Sequence, residues 1–472
     1  VTPPRASRWR AARAGLAALA LLGAAPSGPP PADRELARAI LRELVEINTA
    51  DSLGNTPRAA RAMARRLLAA GFPAGDVRVL VGPDATHGNL VARYRGSGAA
   101  GRPIVGLAHL DVVPARREDW SLDPFTFTER DGYFYGRGTS DNKAGAAILV
   151  ADFIRLKRAG FVPARDLILV LTGDEETAGS CIAWLLARHR DLIDAEFALN
   201  TDAGGGVLRD GRPVTFEIQA SEKVYATYVL EATDRGGHSS LPRPGDNPIY
   251  RVAAALGRIA AYQFPVRLNP VSRAYFERSA AVEPEPLASD LRGVLADPPD
   301  SGAVARLAAI PFYNAKLRTT CTATLFAAGH AENALPQSAR ATVNCRILPD
   351  QPPDEVAATL RRLAADERIA LRTAYAPVPS PPSPLTPAVL GPIERLVAEL
   401  FPGVAVIPVM EAGATDGLFL RNAGIPTYGV SAIFEDPADV RAHGRDERIR
   451  VQSFYDALEF WYRMLRAFGS GG

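Results

Sequence analysis

Apolar positions change their spacing along this chain in a regular order. They fall at helical intervals over Arg34 to Val45 and Thr56 to Ala70, where Gly71 supplies a stop. Short apolar runs then alternate with helical stretches. Val77 to Val81, Asn89 to Tyr94 and Pro103 to Leu110 predict strands, Ala144 to Ala159 a helix ended by Gly160, Leu167 to Thr172 a strand, Ser180 to Arg188 a helix and Phe197 to Thr201 a strand. This alternation predicts an α/β fold, a mainly parallel mixed sheet flanked by helices.

The rhythm changes from about Ser221. Tyr225 to Ala232 alternates as a strand and Asn247 to Ala261 is helical; strands Thr319 to Phe326 and Ala339 to Ile347 precede a helix over Pro353 to Asp366 and a strand over Ala370 to Ala376. That β-α-β-β-α-β order predicts a ferredoxin-like α+β unit. It is expected to be inserted as residues 221–379 between two stretches of the first domain, 32–220 and 380–472. Phe264 to Phe312 reads as a helical excursion without a clear role, and Pro377 to Pro387 as the linker back. Helix Ala388 to Leu400, strand Gly424 to Ser431 and helix Ser453 to Ala467 should rejoin the first sheet.

In an open parallel sheet, ligands gather beyond the carboxyl ends of the strands. Polar residues cluster at those ends: His109 and Asp111 after one strand, Asp141 after the turn Tyr135-Gly136-Arg137-Gly138, Asp174-Glu175-Glu176 after another, and Asp202 after a fourth. Each has a plainer use alone. His109 could be a hydrogen-bonded strand-end histidine, Asp141 an N-cap, Glu175 and Glu176 a solvated turn, and Asp202 a turn residue beside Gly204. Their conjunction argues for metal, because carboxylates sharing a cleft repel unless a cation neutralises them. Imidazole and carboxylate without thiolate suit Zn²⁺ first and Co²⁺ second, with an open coordination position. His443, in His443-Gly444-Arg445-Asp446-Glu447, is the best-placed second imidazole.

The first residues alter the picture in one respect. Arg5, Arg8, Arg10 and Arg13 precede the apolar run Ala14 to Ala25, and the prolines after it break any helix. Residues 1–31 therefore read as a cleavable signal peptide and Pro-rich leader, giving a periplasmic or secreted protein with no stable membrane insertion. Loss of those four arginines turns a formal charge of +2 into −2, so nothing calls for nucleic acid. Cys181, Cys321 and Cys345 read as small buried apolar residues. Cys321 and Cys345 lie in two expected strands, which leaves one bridge between them open.

The ordered motifs His-x-Asp, Tyr-Gly-Arg-Gly-x-x-Asp, Gly-Asp-Glu-Glu, Asp-Gly-Gly-like Asp202-Ala203-Gly204, Gly-Gly-His-Ser-Ser and His-Gly-x-x-Glu make the chain resemble one family. It is the zinc exopeptidase and amidohydrolase family of glutamate carboxypeptidase, aminoacylase, acetylornithine deacetylase and succinyl-diaminopimelate desuccinylase. Ser221-Glu222-Lys223 and the long excursion resemble the branch of Gly-X carboxypeptidase and the secreted N-fatty-acyl amino acid hydrolase.

The resemblance implies a pair of divalent ions bridged by Asp141, one completed by His109 and Asp202, the other by Glu176 and His443. It implies Asp111 as the carboxylate orienting His109, Glu175 as general base, and His238 as a donor delivered across a homodimer, with 221–379 as lid and dimerisation domain. Asn333, Arg346, Gly413 and Ala414 would meet the substrate. The last acid is Glu in some relatives and Asp202 here, which argues against a glutamate-specific carboxypeptidase. The expected reaction is hydrolysis of an amide bond in a small peptide, with an N-acyl amino acid as the alternative substrate; a non-catalytic periplasmic binding protein is the remote alternative.

Overall fold

The computed structural model describes residues 28–471 apart from Gly54 and Pro83. The Arg-rich leader and its apolar run lie outside the described residues. A ten-stranded mixed sheet forms the larger part. At its centre, Ile104–His109 runs parallel to Leu167–Thr172 on one side and to Phe197–Asn200 on the other, and Phe197–Asn200 runs parallel to Thr427–Gly429. Antiparallel strands Gly88–Tyr94 and Val77–Val81 extend one edge.

These central strands are buried on both faces, as their unbroken apolar runs require. Their side chains alternate between two cores. Ile104, Leu167, Leu169 and Leu171 pack with helices Pro31–Val45, Lys143–Arg158 and Val451–Gly469, while Val105, Leu107, Ile168 and Val170 pack with Ile182 and Leu185 of helix Ser180–Arg188. Each such side chain contributes about 1.5–3 kcal/mol through removal from water. The sum fixes the strand ends, and with them the loops that follow.

Three strands of the large sheet are among the elements that escape the sequence pattern. Gly205–Arg209 and Arg212–Glu222 form a hairpin where Gly204-Gly205-Gly206 suggests only a turn. An added Cβ at Gly206 would lie 2.0 Å from the Phe434 ring, so the glycine permits close packing inside a strand. Ala405–Glu411, whose Pro408 masks the strand pattern, pairs in parallel with Arg212–Glu222.

A separate antiparallel sheet has the order Thr320–Ala328, Ser338–Ile347, Val224–Thr233, Ile369–Thr373. Helices Pro248–Ala261 and Pro353–Ala364 share its apolar core, following the expected β-α-β-β-α-β order. The excursion is helical: Pro270–Ala280, Leu287–Gly293, Ser301–Ala308 and Pro311–Leu317. Its apolar residues Tyr275, Phe276, Leu291 and Leu307 pack with Ile407 and Val409 of the large sheet.

The cysteine reading is corrected. Cys321 and Cys345 face each other across paired strands and form a disulfide; Cys181 alone is free and buried. Strand register decides the pairing, and spacing along the chain carries no trace of it. No helix among the described residues is long and apolar enough to cross a membrane.

Candidate metal centre

The strand Ile104–His109 ends with the His109 imidazole almost wholly buried, its side chain 1% exposed. Nε2 lies 2.9 Å from Asp141 Oδ1 and 3.2 Å from Asp202 Oδ1. On its other side, Nδ1 lies 3.1 Å from the carbonyl oxygen of Asp111 and 3.4 Å from its carboxylate. That carboxylate also accepts the backbone N–H groups of Glu175 at 3.2 Å and Glu176 at 2.9 Å. Asp111 thus sets both the imidazole and the acidic turn.

That turn divides its acids by position. Asp174 accepts from the N–H groups of Ser180 and Cys181, each at 2.8 Å, and so satisfies the start of the following helix. Glu175 and Glu176 are left to face the cluster. The donor atoms of His109, Asp141 and Glu176 lie within 4.8 Å of one another, as do those of His109, Glu175 and Asp202. His443 completes the group, with Nε2 3.0 Å from Asp141 Oδ2 and 2.9 Å from Glu176 Oε2.

Asp141 does not cap its helix. Asn142 occupies the N-cap position, and its side-chain amide donates to the Thr201 carbonyl at 3.0 Å while Thr201 Oγ1 donates back to Asn142 Oδ1 at 2.7 Å. Asn142 and Thr201 are the chain neighbours of Asp141 and Asp202, so this reciprocal pair holds those acids together. Gly145 makes it possible, because a Cβ there would sit 2.2 Å from Thr201 Oγ1.

The charges are badly balanced without a cation. Burial, with Asp202 nearby, pushes Glu175 well above the usual carboxylate range. Burial likewise raises Asp202 against the pull of His109. Burial alone would lower His109, yet Asp202, Asp111 and Asp141 hold it well above its ordinary value. Hydrogen bonds to Asp141 and Glu176 push His443 up to about 10. Two imidazoles that attract protons only because carboxylates surround them, and carboxylates that need positive charge, form a donor set that fits divalent metal.

One residue without an assigned role from sequence supports the centre. Glu447, fully buried, accepts from the backbone N–H groups of Gly138, Ser140 and Asp141 and pairs with Arg137 at 2.5 Å. Pairing of Arg448–Arg450 with Tyr133–Tyr135 brings it there. Its signal was present in the late His-Gly-x-x-Glu motif.

The substrate-side residues divide. Ala414 lines a cavity of about 230 Å³ with Glu175, Tyr225, Tyr375, Val378 and Phe419. Arg346 lies over the Tyr225 ring at 4.5 Å and donates to the Ala412 carbonyl at 3.0 Å, next to Gly413. Glu222 pairs with Arg421 at 2.8 Å and accepts from Thr415 Oγ1 at 3.1 Å, which ties down the same loop. His238 and Asn333 are elsewhere. His238 is exposed in a two-residue strand paired with Ala334, its Nδ1 2.7 Å from Ser240 Oγ, and among the described residues it touches no member of the metal cluster.

A mixed α/β sheet whose strand ends bring acids and the buried His109 together, with the exposed His443 reaching them from a later loop, defines a metal-dependent hydrolase, and the comparisons agree. The description of peptidase family M20/M25/M40 matches residues 107–467, and the chain belongs to that family. It is 32% identical to the human N-fatty-acyl-amino acid synthase/hydrolase PM20D1 over 383 residues, covering 79% of this chain and 75% of that protein. It is 27% identical to the probable carboxypeptidase S-like 2 of Dictyostelium discoideum, covering 80% and 74%. Among solved structures, the M20 family metallo-carboxypeptidase Sso-CP2 from Sulfolobus solfataricus shares the fold with a TM-score of 0.68 at 20% identity, covering 92% of this chain and 99% of that one. Human carnosine dipeptidase 1 gives 0.62 at 15%, covering 93% and 97%. The protein is a hydrolase of this family with a candidate metal-binding centre.

Proposed function

We propose that this enzyme hydrolyses the amide bond of N-acyl amino acids with a pair of zinc ions, and that it is exported and works as a homodimer. The observation that carries the substrate reading is the cavity beside Glu175, whose wall is apolar and aromatic through Val224, Tyr225, Tyr375, Val378, Leu418 and Phe419. The relatives named as N-fatty-acyl-amino acid synthase/hydrolase, at 32% and 31% identity, support it. Cleavage of small peptides is the second reading and uses the same chemistry.

His109, Asp141 and Asp202 would hold one ion and Asp141, Glu176 and His443 the other. When bound, such a pair would supply Lewis-acid chemistry, making a water more acidic and polarising the amide carbonyl. Glu175 takes the proton from the attacking water and returns it to the leaving nitrogen. Arg346 would pair with the free carboxylate of the amino-acid half through its fork. His238, exposed and away from its own cluster, would serve the partner's site as a donor to the developing oxyanion. The exposed side chains Leu325 and Phe326 on the edge strand Thr320–Ala328, with Tyr250 nearby in sequence to His238, support a contact between copies. The Cys321–Cys345 bridge supports an oxidising compartment.

A panel of N-acetyl and N-lauroyl amino acids against Gly-X dipeptides tests the substrate reading. Preference for the acyl series by at least tenfold in kcat/KM is expected, and preference for the dipeptides would reverse the order of the two readings.

A further inference from the structure

A second hollow, of about 520 Å³, lies where the strand of the smaller sheet begins and the excursion packs. It is lined by Phe264, Pro265, Val266, Val304 and Ala308, with Gln263 and Arg318 as polar members. It shares no lining residue with the cavity beside Glu175, from which Lys223 separates it, donating to the Arg318 carbonyl at 2.8 Å.

Arg318 is the unusual member. It is 6% exposed, yet among the described residues no carboxylate pairs with it. Nη1 donates to Gln263 Oε1 at 2.8 Å, and Nε is buried without a partner. A guanidinium does not shed its proton to escape burial, and burial alone pulls its pKa down here. Buried arginines elsewhere in the chain, Arg137, Arg155 and Arg421, each have an acid at 3.1 Å or less. A fixed positive charge lacking its counter-ion, set in an apolar hollow open to solvent, complements one kind of molecule: a single carboxylate on an apolar body.

We propose that the Arg318 hollow is a binding site for a carboxylate-headed amphiphile, with the carboxylate against the guanidinium and the chain across Phe264, Val266 and Val304. The site is separate from the metal centre, so occupancy does not depend on metal or on Glu175.

The test uses the full chain and two photoreactive probes, a diazirine-bearing decanoate and the matching alcohol, with labelled peptides mapped by mass spectrometry. The decanoate should label segments 263–266 and 299–308 saturably, and the alcohol at least tenfold less. Arg318→Met should lower labelling there at least tenfold. Ala305→Glu, an exposed change on the rim, should do the same by repulsion and decides the matter if the first variant does not fold. Equal labelling by the alcohol, labelling confined to other segments, or labelling unchanged in the folded variants would overturn the proposal.

Discussion

Glu447 holds Asp141 through its backbone: one carboxylate oxygen accepts the N–H groups of Gly138 at 3.0 Å, Ser140 at 2.8 Å and Asp141 at 3.1 Å, while the other pairs with Arg137. The acid proposed to bridge two ions is thereby placed by a residue that never meets them. Glu447→Gln should weaken metal retention about 10–100-fold, read by chelator competition. It should also destabilise the fold by about 3 kcal/mol, because Arg137 is left buried without its counter-ion. Metal retention equal to that of the parent protein would remove this positioning role.

Glu175→Gln should keep the fold and bound metal yet lower kcat by a factor of about 10²–10⁴, the usual worth of a positioned base. Chelation of the parent enzyme should abolish hydrolysis, and Zn²⁺ or Co²⁺ should restore it. Activity persisting after demonstrated metal removal would count against the mechanism as a whole.

The proposed dimer makes a sharper demand. If His238 serves the partner's site, His238→Ala and Glu175→Gln chains, each nearly inactive alone, should regain activity when mixed and re-equilibrated. Mixed dimers then carry one site with both residues intact, giving about a quarter of parental activity at equal amounts if subunits exchange freely and the sites act independently. Sedimentation would report the dimer directly; no recovery from a mixture shown to contain mixed dimers excludes the shared site.

Removal of the disulfide by Cys321→Ala with Cys345→Ala should lower stability by about 3 kcal/mol, since the bridge closes a loop of sequence separation 24. Differential scanning calorimetry with and without reductant measures it. The loss should be confined to the transition of the smaller sheet if that sheet melts separately.

His87 links two segments, with Nε2 2.9 Å from Asp51 and Nδ1 3.0 Å from Asp84. Burial lowers its pKa, but the bonds to Asp84 and Asp51 outweigh burial and raise it above 6.5. A raised folded-state pKa means stability present in full below about 6.5 and lost as pH climbs through the folded value. The Tm of the parent protein should therefore fall between pH 6 and pH 9 by roughly 1 °C more than that of His87→Gln. Identical pH profiles would show the pair to be without consequence.

The sequence by itself determined the alternation of strands and helices, the split α+β unit and the acids and imidazoles that meet, because burial on both faces and placement at strand ends leave local marks. Apolar runs over Ile104–His109 and Leu167–Thr172 announce two-sided strands, and polar residues directly after them announce a cleft. Only the tertiary structure decided the rest. Which acids face the cluster depends on Asp174 accepting the first N–H groups of helix Ser180–Arg188 and on Asn142, not Asp141, standing at the N-cap of helix Lys143–Arg158. The pairing of Cys321 with Cys345, the glycine-lined hairpin at Gly205–Arg209 and the grip of Glu447 on Asp141 join residues through register and close approach. Such contacts form between distant segments: the late His-Gly-x-x-Glu motif marks Glu447 as a residue, but no local spacing says which segment it meets.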